Sequence, residues 1–208
     1  MSLSSTSLPK PKNWQDFENK VCELFECVLD DPNTQQNGRS GQKQNGVDVY
    51  GYRNRSEYCL VGVQCKKKYN TNVTDKELLA EVKKAKNFKP QIAEFILVTT
   101  APRNQKIQET ARQITRDLAQ TNHSFRVSVW GWDDVEEHAA KYEQACKAFD
   151  PTWNSFVEAG FERITLELEE LKLSFKLSVG RSYHSITLID FWNDWTKSTK
   201  PNLSESFF

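Results

Sequence analysis

The apolar positions of this chain alternate between long stripes and short runs, and their spacing predicts the elements in order. Residues 1–12 are rich in Ser, Pro and Lys and are expected to form a disordered tail. Asn13 is placed to cap a helix in which Trp14, Phe17, Val21, Leu24, Phe25 and Val28 recur at helical spacing as one inward stripe. Residues 30–45 are polar and punctuated by Gly38 and Gly41, with a short strand expected near 34–37. Two strands follow, over 46–53 and 57–68, joined as a hairpin by the polar turn Asn54-Arg55-Ser56. Thr74-x-x-Glu77 is a capping box opening a helix that runs to Phe88, with Leu78, Leu79, Val82 and Ala85 inward. The unbroken apolar run Phe95-Ile96-Leu97-Val98 marks a strand covered on both faces. A helix after Asn104 turns Ile107, Ala111, Ile114 and Leu118 inward; a strand over 126–130 then leads through Gly131 to a helix capped by Asp133 or Asp134. This order predicts an α/β fold, a central mixed sheet flanked by helices.

Asp150-Pro151 divides the chain into a domain over 13–150 and a C-terminal extension over 151–208. In the extension Val157, Phe161, Ile164, Leu168, Leu171 and Phe175 step by four and three, a heptad seam, and Leu166, Leu173 and Leu177 mark a second apolar face. A strand reading competes, because Ile164-Leu166-Leu168 and 171–179 also alternate. Helix is the better reading, since the alternation slips at Glu169-Glu170 and the heptad does not. Trp192, Trp195 and the last five residues carry no regular period.

The chemistry gathers at the hairpin. Side chains alternate faces along a strand, so Val61, Val63 and Cys65 point one way while Gln64 and Lys66 point the other. In the first strand Val47 and Val49 are expected to share a face, with Asp48 opposite. Asp48, Gln64 and Lys66 then project together: an acid, an amide and an amine, a set suited to a hard divalent cation beside a phosphodiester. A surface hairpin with ordinary polar decoration is the plainer reading of the same residues. Glu18 lies at the margin of the first helix's apolar stripe, about 70° from its centre by the 3.6-residue period. A carboxylate there is costly to desolvate, so it either reaches water at the edge or faces the Asp48 patch.

An Asp at a strand start, a short hairpin, an apolar strand and then Gln-x-Lys together resemble the PD-(D/E)XK nuclease superfamily, in its Mrr-like branch. The resemblance spans residues 13–142 and is similar in kind to double-stranded-DNA endonuclease domains of bacterial anti-phage defence effectors. Val47 stands where many members have proline, and the neutral Gln64 where many have a carboxylate. The resemblance implies a restriction-endonuclease-like core and hydrolysis of DNA with little sequence specificity, leaving 5′-phosphate ends. It also makes Glu18 a first-helix acid of the site. The expected cofactor is Mg2+ or Mn2+, held by Asp48, by Glu18 directly or through water, by the Gln64 amide oxygen and by the Cys65 carbonyl. Lys66 would orient or deprotonate the attacking water, or stabilise the charged transition state. Lys67 and Lys68, and Arg39 and Lys43 from the glycine-punctuated loop, are expected to meet DNA phosphates.

Charge and cysteine usage change the picture in two ways. With 28 basic and 28 acidic residues the net charge is zero, so a DNA-binding surface must be local. The five cysteines are odd in number and make no CxxC pair, which favours buried reduced thiols over disulfides or zinc. No apolar run reaches membrane length and the start has no signal-peptide core, so a cytoplasmic, membrane-free protein is expected. The 151–208 segment is expected to hold a homo-oligomer or a partner protein. The rival reading is a catalytically silent nuclease-fold module that binds DNA or regulates through this same segment.

Overall fold

The computed structural model describes residues 7–39, 42, 44–121, 124–153 and 163–172. The chain falls into two units, 1–155 and 156–208. In the first, helix α1 (Trp14–Leu29) is followed by the short strand β1 (Gln35–Gln36). Strand β2 (Val49–Tyr52) runs through a 3-10 turn at Arg53–Arg55 into β3 (Leu60–Lys66). Then come α2 (Asp75–Ala85), β4 (Glu94–Thr99), α3 (Gln105–Leu118), β5 (Arg126–Trp130), α4 (Trp132–Ala139) and α5 (Glu143–Phe149). The sheet has the order β1-β2-β3-β4-β5, with β1, β2 and β3 antiparallel and β3, β4 and β5 parallel. This is the expected mixed sheet flanked by helices.

Its strands are apolar on both sides because helices cover both sides. On one face Phe17, Val21, Leu24, Phe25 and Leu29 of α1 pack with Val49, Val61, Val63, Ile96, Val98 and the α4–α5 pair. On the other, Leu78, Val82 and Ala85 of α2 and Ile107, Ala111, Ile114 and Leu118 of α3 meet Leu60, Phe95, Leu97, Val127 and Val129. Strand β4 shows why its run is continuous: Phe95 and Leu97 serve one cluster, Ile96 and Val98 the other.

The caps are largely those the sequence marks. The Asn13 side chain accepts from the Asp16 N–H, and Thr74 and Glu77 form a reciprocal capping box. At α4 the cap is Gly131, and Asp134, inside the first turn, accepts from the Gly131 N–H. Four expectations need correction. Trp14 is 46% exposed and Leu79 52% exposed, so neither belongs to its helix's inner face. On α2 the fourth inward residue is Glu81. Val47 and Val49 enter opposite clusters: Asn45 and Gly46 turn the chain through positive φ just before the ladder begins, so the period of two does not reach back to Val47. Residues 7–12, within the expected disordered tail, lie against the domain: Leu8 is buried and its N–H donates to Glu136.

All five cysteines are free thiols, Cys65 and Cys146 buried and the other three half-buried. In the second unit, residues 163–172 are helical, and Ile164, Leu166, Leu168 and Leu171 are exposed. The rest of the heptad seam, Val157, Phe161 and Phe175, with Leu173, Leu177 and the two tryptophans, lies outside the described residues. No helix among the described residues is long and apolar enough to cross a membrane.

Candidate active site

The site begins with register. Val49 pairs with Val63, so one step earlier Asp48 stands opposite Gln64, and both turn towards the α2 side of the sheet. The Asp48 N–H donates to the Val63 carbonyl at 2.8 Å, and the Asn37 N–H donates to the Asp48 carbonyl at 2.7 Å. Asp48 is thus pinned on both sides at the point where β2 starts. Gly46 makes the approach to α2 possible: its φ is +71°, and a Cβ there would lie 2.8 Å from the Lys84 Cβ.

A cleft of about 470 Å³ opens between this edge and α2, lined by Asp48, Gln64, Lys66, Glu81, Lys84 and the turn around Asn45. Asp48 is 5% exposed. Its Oδ2 accepts from the Cys65 N–H at 2.8 Å and from the Gln64 amide. Burial pushes the Asp48 carboxyl up to about 6, against the lowering effects of the Cys65 N–H, Lys66 and the Gln64 amide, with Glu81 adding to the rise. Glu18 does not line the cleft; α1 brings it in from the other face of the sheet. There it is half-buried, and burial first, then the Asp48 charge, raises its carboxyl to about 7, with Lys66 opposing. The Cys65 thiol is pushed well above its usual range, by burial first and by Asp48 and Glu18 after it.

Lys66 sits at the end of β3 and pairs with Glu81 at 2.8 Å. Glu81 is 6% exposed and also accepts from Lys84 at 3.0 and 3.1 Å. Burial alone would raise the Glu81 carboxyl, but hydrogen bonds and charge from Lys66 and Lys84 outweigh it and hold it below the usual range. Glu81 and Lys84 are the members that the sequence reading missed. The signal was present: Leu78, Glu81, Val82 and Ala85 fall at i, i+3, i+4 and i+7, the spacing of one buried helix face.

The donor set is oxygen-based and thin for a hard cation. Burial raises both the Asp48 and the Glu18 carboxyl, and the Asp48 charge adds to the rise at Glu18, so cationic charge near Asp48 falls short of compensating it. The Gln64 Nε2, not its Oε1, faces both Asp48 Oδ2 and the Cys65 carbonyl, the latter at 3.3 Å. Its amide hydrogens satisfy the two oxygens expected to hold the ion, so the side-chain amide must turn over for Oε1 to join them. Among the described residues, no group of three or more His, Cys, Asp or Glu side chains converges on a point. Any ion here is held by few charges.

The expected phosphate contacts separate. Arg39 is exposed on its loop, and Lys43 lies outside the described residues. Lys68 pairs with Glu77, and Lys67 donates to the Lys12 carbonyl at 3.0 Å and to the Tyr69 hydroxyl at 2.7 Å. Both line a different and larger cleft, about 520 Å³, with Lys10, Tyr69 and Pro102. That cleft has no carboxylate in its lining, so the acid chemistry belongs to the smaller one.

A five-stranded mixed sheet with helices on both faces is a restriction-endonuclease-like α/β fold, and Asp48, Gln64 and Lys66 line one cleft on it. The family model described as restriction endonuclease, the Mrr-type catalytic domain, matches residues 11–122. The chain belongs to this Mrr-type restriction endonuclease family. No curated protein matches it.

Proposed function

We propose that this chain is a divalent-metal-dependent endonuclease that hydrolyses phosphodiester bonds of double-stranded DNA with little sequence specificity. The observation that carries the reading is the convergence of Asp48, Gln64 and Lys66 on one cleft, with Glu18 close enough for the Asp48 charge to raise its carboxyl. A bound Mg2+ or Mn2+ would supply the charge that makes water acidic and neutralises the phosphoryl oxygens. Asp48 and Glu18, with the Gln64 amide oxygen and the Cys65 carbonyl, would hold it. Lys66 places an ammonium beside the same cleft, where it orients the water or stabilises the negative charge that builds on phosphorus. Arg39, Lys43, Lys67 and Lys68 would supply phosphate contacts to the DNA backbone on a chain of zero net charge.

One site cuts one strand, so a double-strand break needs a second copy. We assign that pairing, or the docking of a partner protein, to the C-terminal segment. Its support is the helix over 163–172, which carries exposed Ile164, Leu166, Leu168 and Leu171. A role as an effector in anti-phage defence rests on the resemblance of the nuclease motif alone.

The experiment is plasmid cleavage with magnesium, manganese or chelator, for the natural chain and for Asp48→Ala and Lys66→Ala. Cutting should need the metal, and each substitution should abolish multiple turnover on plasmid, leaving only a slow residual rate in single-turnover assays, while circular dichroism stays unchanged. Undiminished cutting by either variant would sink the assignment. Binding of duplex DNA without any cutting would leave the silent-module reading standing instead.

A further inference from the structure

We propose that Glu81 is a positioning residue for Lys66: its buried carboxylate fixes the lysine ammonium at the mouth of the cleft it shares with Asp48 and Gln64. The inference rests on the nuclease reading above and adds a residue from a different element to the same site.

The case starts with cost. A carboxylate on the inward face of α2, among Leu78, Val82 and Ala85, gives up its hydration and needs full compensation. Lys84, three residues further along the same helix, supplies part of it, but the Lys84 side chain is 58% exposed. An exposed i,i+3 partner is screened by water and contributes little. The inner partner is Lys66, 2.8 Å from Glu81 Oε1 with a side chain 32% exposed. Burial of Glu81 is therefore matched mainly by a residue from the site's own strand.

The gain falls on Lys66. A lysine has four rotatable bonds, and at the open end of a strand its ammonium would sample many positions. A carboxylate fixed on a capped, packed helix removes that freedom before substrate arrives. Positioning of this kind matters when the charge must lie within hydrogen-bond distance of a reacting atom. Glu81 is poorly placed for the other role open to a buried acid in this cleft, direct metal ligation. Its Oε1 already takes both ammonium groups and its Oε2 takes Lys84.

Glu81→Gln keeps size and shape and removes the charge. The test is a double-mutant cycle of Glu81→Gln and Lys66→Ala, read by single-turnover cleavage of labelled duplex, by duplex affinity in chelator, by the magnesium concentration at half-maximal rate, and by thermal melting. Glu81→Gln should slow single-turnover cleavage about 10- to 100-fold. Duplex affinity and half-maximal magnesium should each stay within about twofold, because neither depends on where the ammonium points. In the Lys66→Ala background Glu81→Gln should change the residual rate no further. Melting should show the same non-additivity.

Wild-type cutting by Glu81→Gln overturns the proposal. So does a loss recovered by raising magnesium, which would make Glu81 a ligand, or a loss that adds to that of Lys66→Ala. If Glu81→Gln fails to fold, Glu81→Asp decides: drawing the carboxylate back by one methylene should slow single-turnover cleavage with half-maximal magnesium unchanged, and a wild-type rate refutes the role. A natural chain that cuts no DNA with any metal removes the nuclease reading and this inference with it. An active natural chain with an unimpaired Glu81→Gln removes the inference alone.

Discussion

The raised carboxyl of Asp48 makes a prediction about stability that needs no DNA. Its ordinary value is near 3.8 and burial lifts it to about 6, so between these limits the folded chain binds a proton that the unfolded chain has released. The contribution to stability is complete below about 3.8 and is lost as pH rises through about 6. From pH 5 to pH 8 about one pH unit of that difference is surrendered, or about 1 kcal/mol. For a unit of this size that is a fall of about 2–4 °C in melting temperature. Glu18, raised to about 7, pulls in the same direction, though its greater exposure weakens it. The perturbation is Asp48→Asn, which keeps an oxygen for the Cys65 N–H and cannot ionise. Melting in chelator from pH 5 to 8 should show the natural chain losing about 2–4 °C relative to the variant. Millimolar magnesium at pH 8 should restore the natural chain and leave the variant where it was. Parallel curves, or a natural chain that gains on the variant as pH rises, would refute the claim that the buried Asp48 charge is only partly compensated.

Four further outcomes follow from the same geometry. Gln64→Glu sets a second carboxylate against Asp48, so it should lower melting in chelator at pH 8 and lower the magnesium needed for cutting; complete loss of cutting would show that the amide hydrogens are required. Glu18→Gln should weaken metal-dependent cleavage and raise melting in chelator at pH 8, whereas an edge residue in water would move neither. Gly46→Ala should cost about 1–3 kcal/mol in urea unfolding, from positive φ and the close Lys84 contact, and slow cleavage by displacing Asp48; an unchanged midpoint would refute the tight approach. Leu168→Glu with Leu171→Glu should lower the mass in solution and reduce double-strand breaks; a monomer before and after, with cutting unaffected, would refute pairing through the C-terminal segment.

Local patterns along the chain set the layers of this protein and the identity of its motif. Capping residues, helical stripes and the unbroken apolar run at Phe95–Val98 are local signals, readable because they reflect backbone hydrogen bonding and burial on one element at a time. Period-two alternation also placed Gln64 and Lys66 on one side of β3 and Cys65 on the other. Alternation failed at Val47, because a left-handed turn at Asn45-Gly46 breaks the pleat before the ladder starts. Tertiary structure decided the charges around the motif. That Lys66 meets Glu81, Lys68 meets Glu77 and Glu18 feels Asp48 from across the sheet depends on how α1 and α2 lie against the strands. A buried carboxylate is stable only where another element delivers its partner. The inward position of Glu81 was therefore written in the spacing of α2, and its reason became visible only when β3 brought Lys66 beside it.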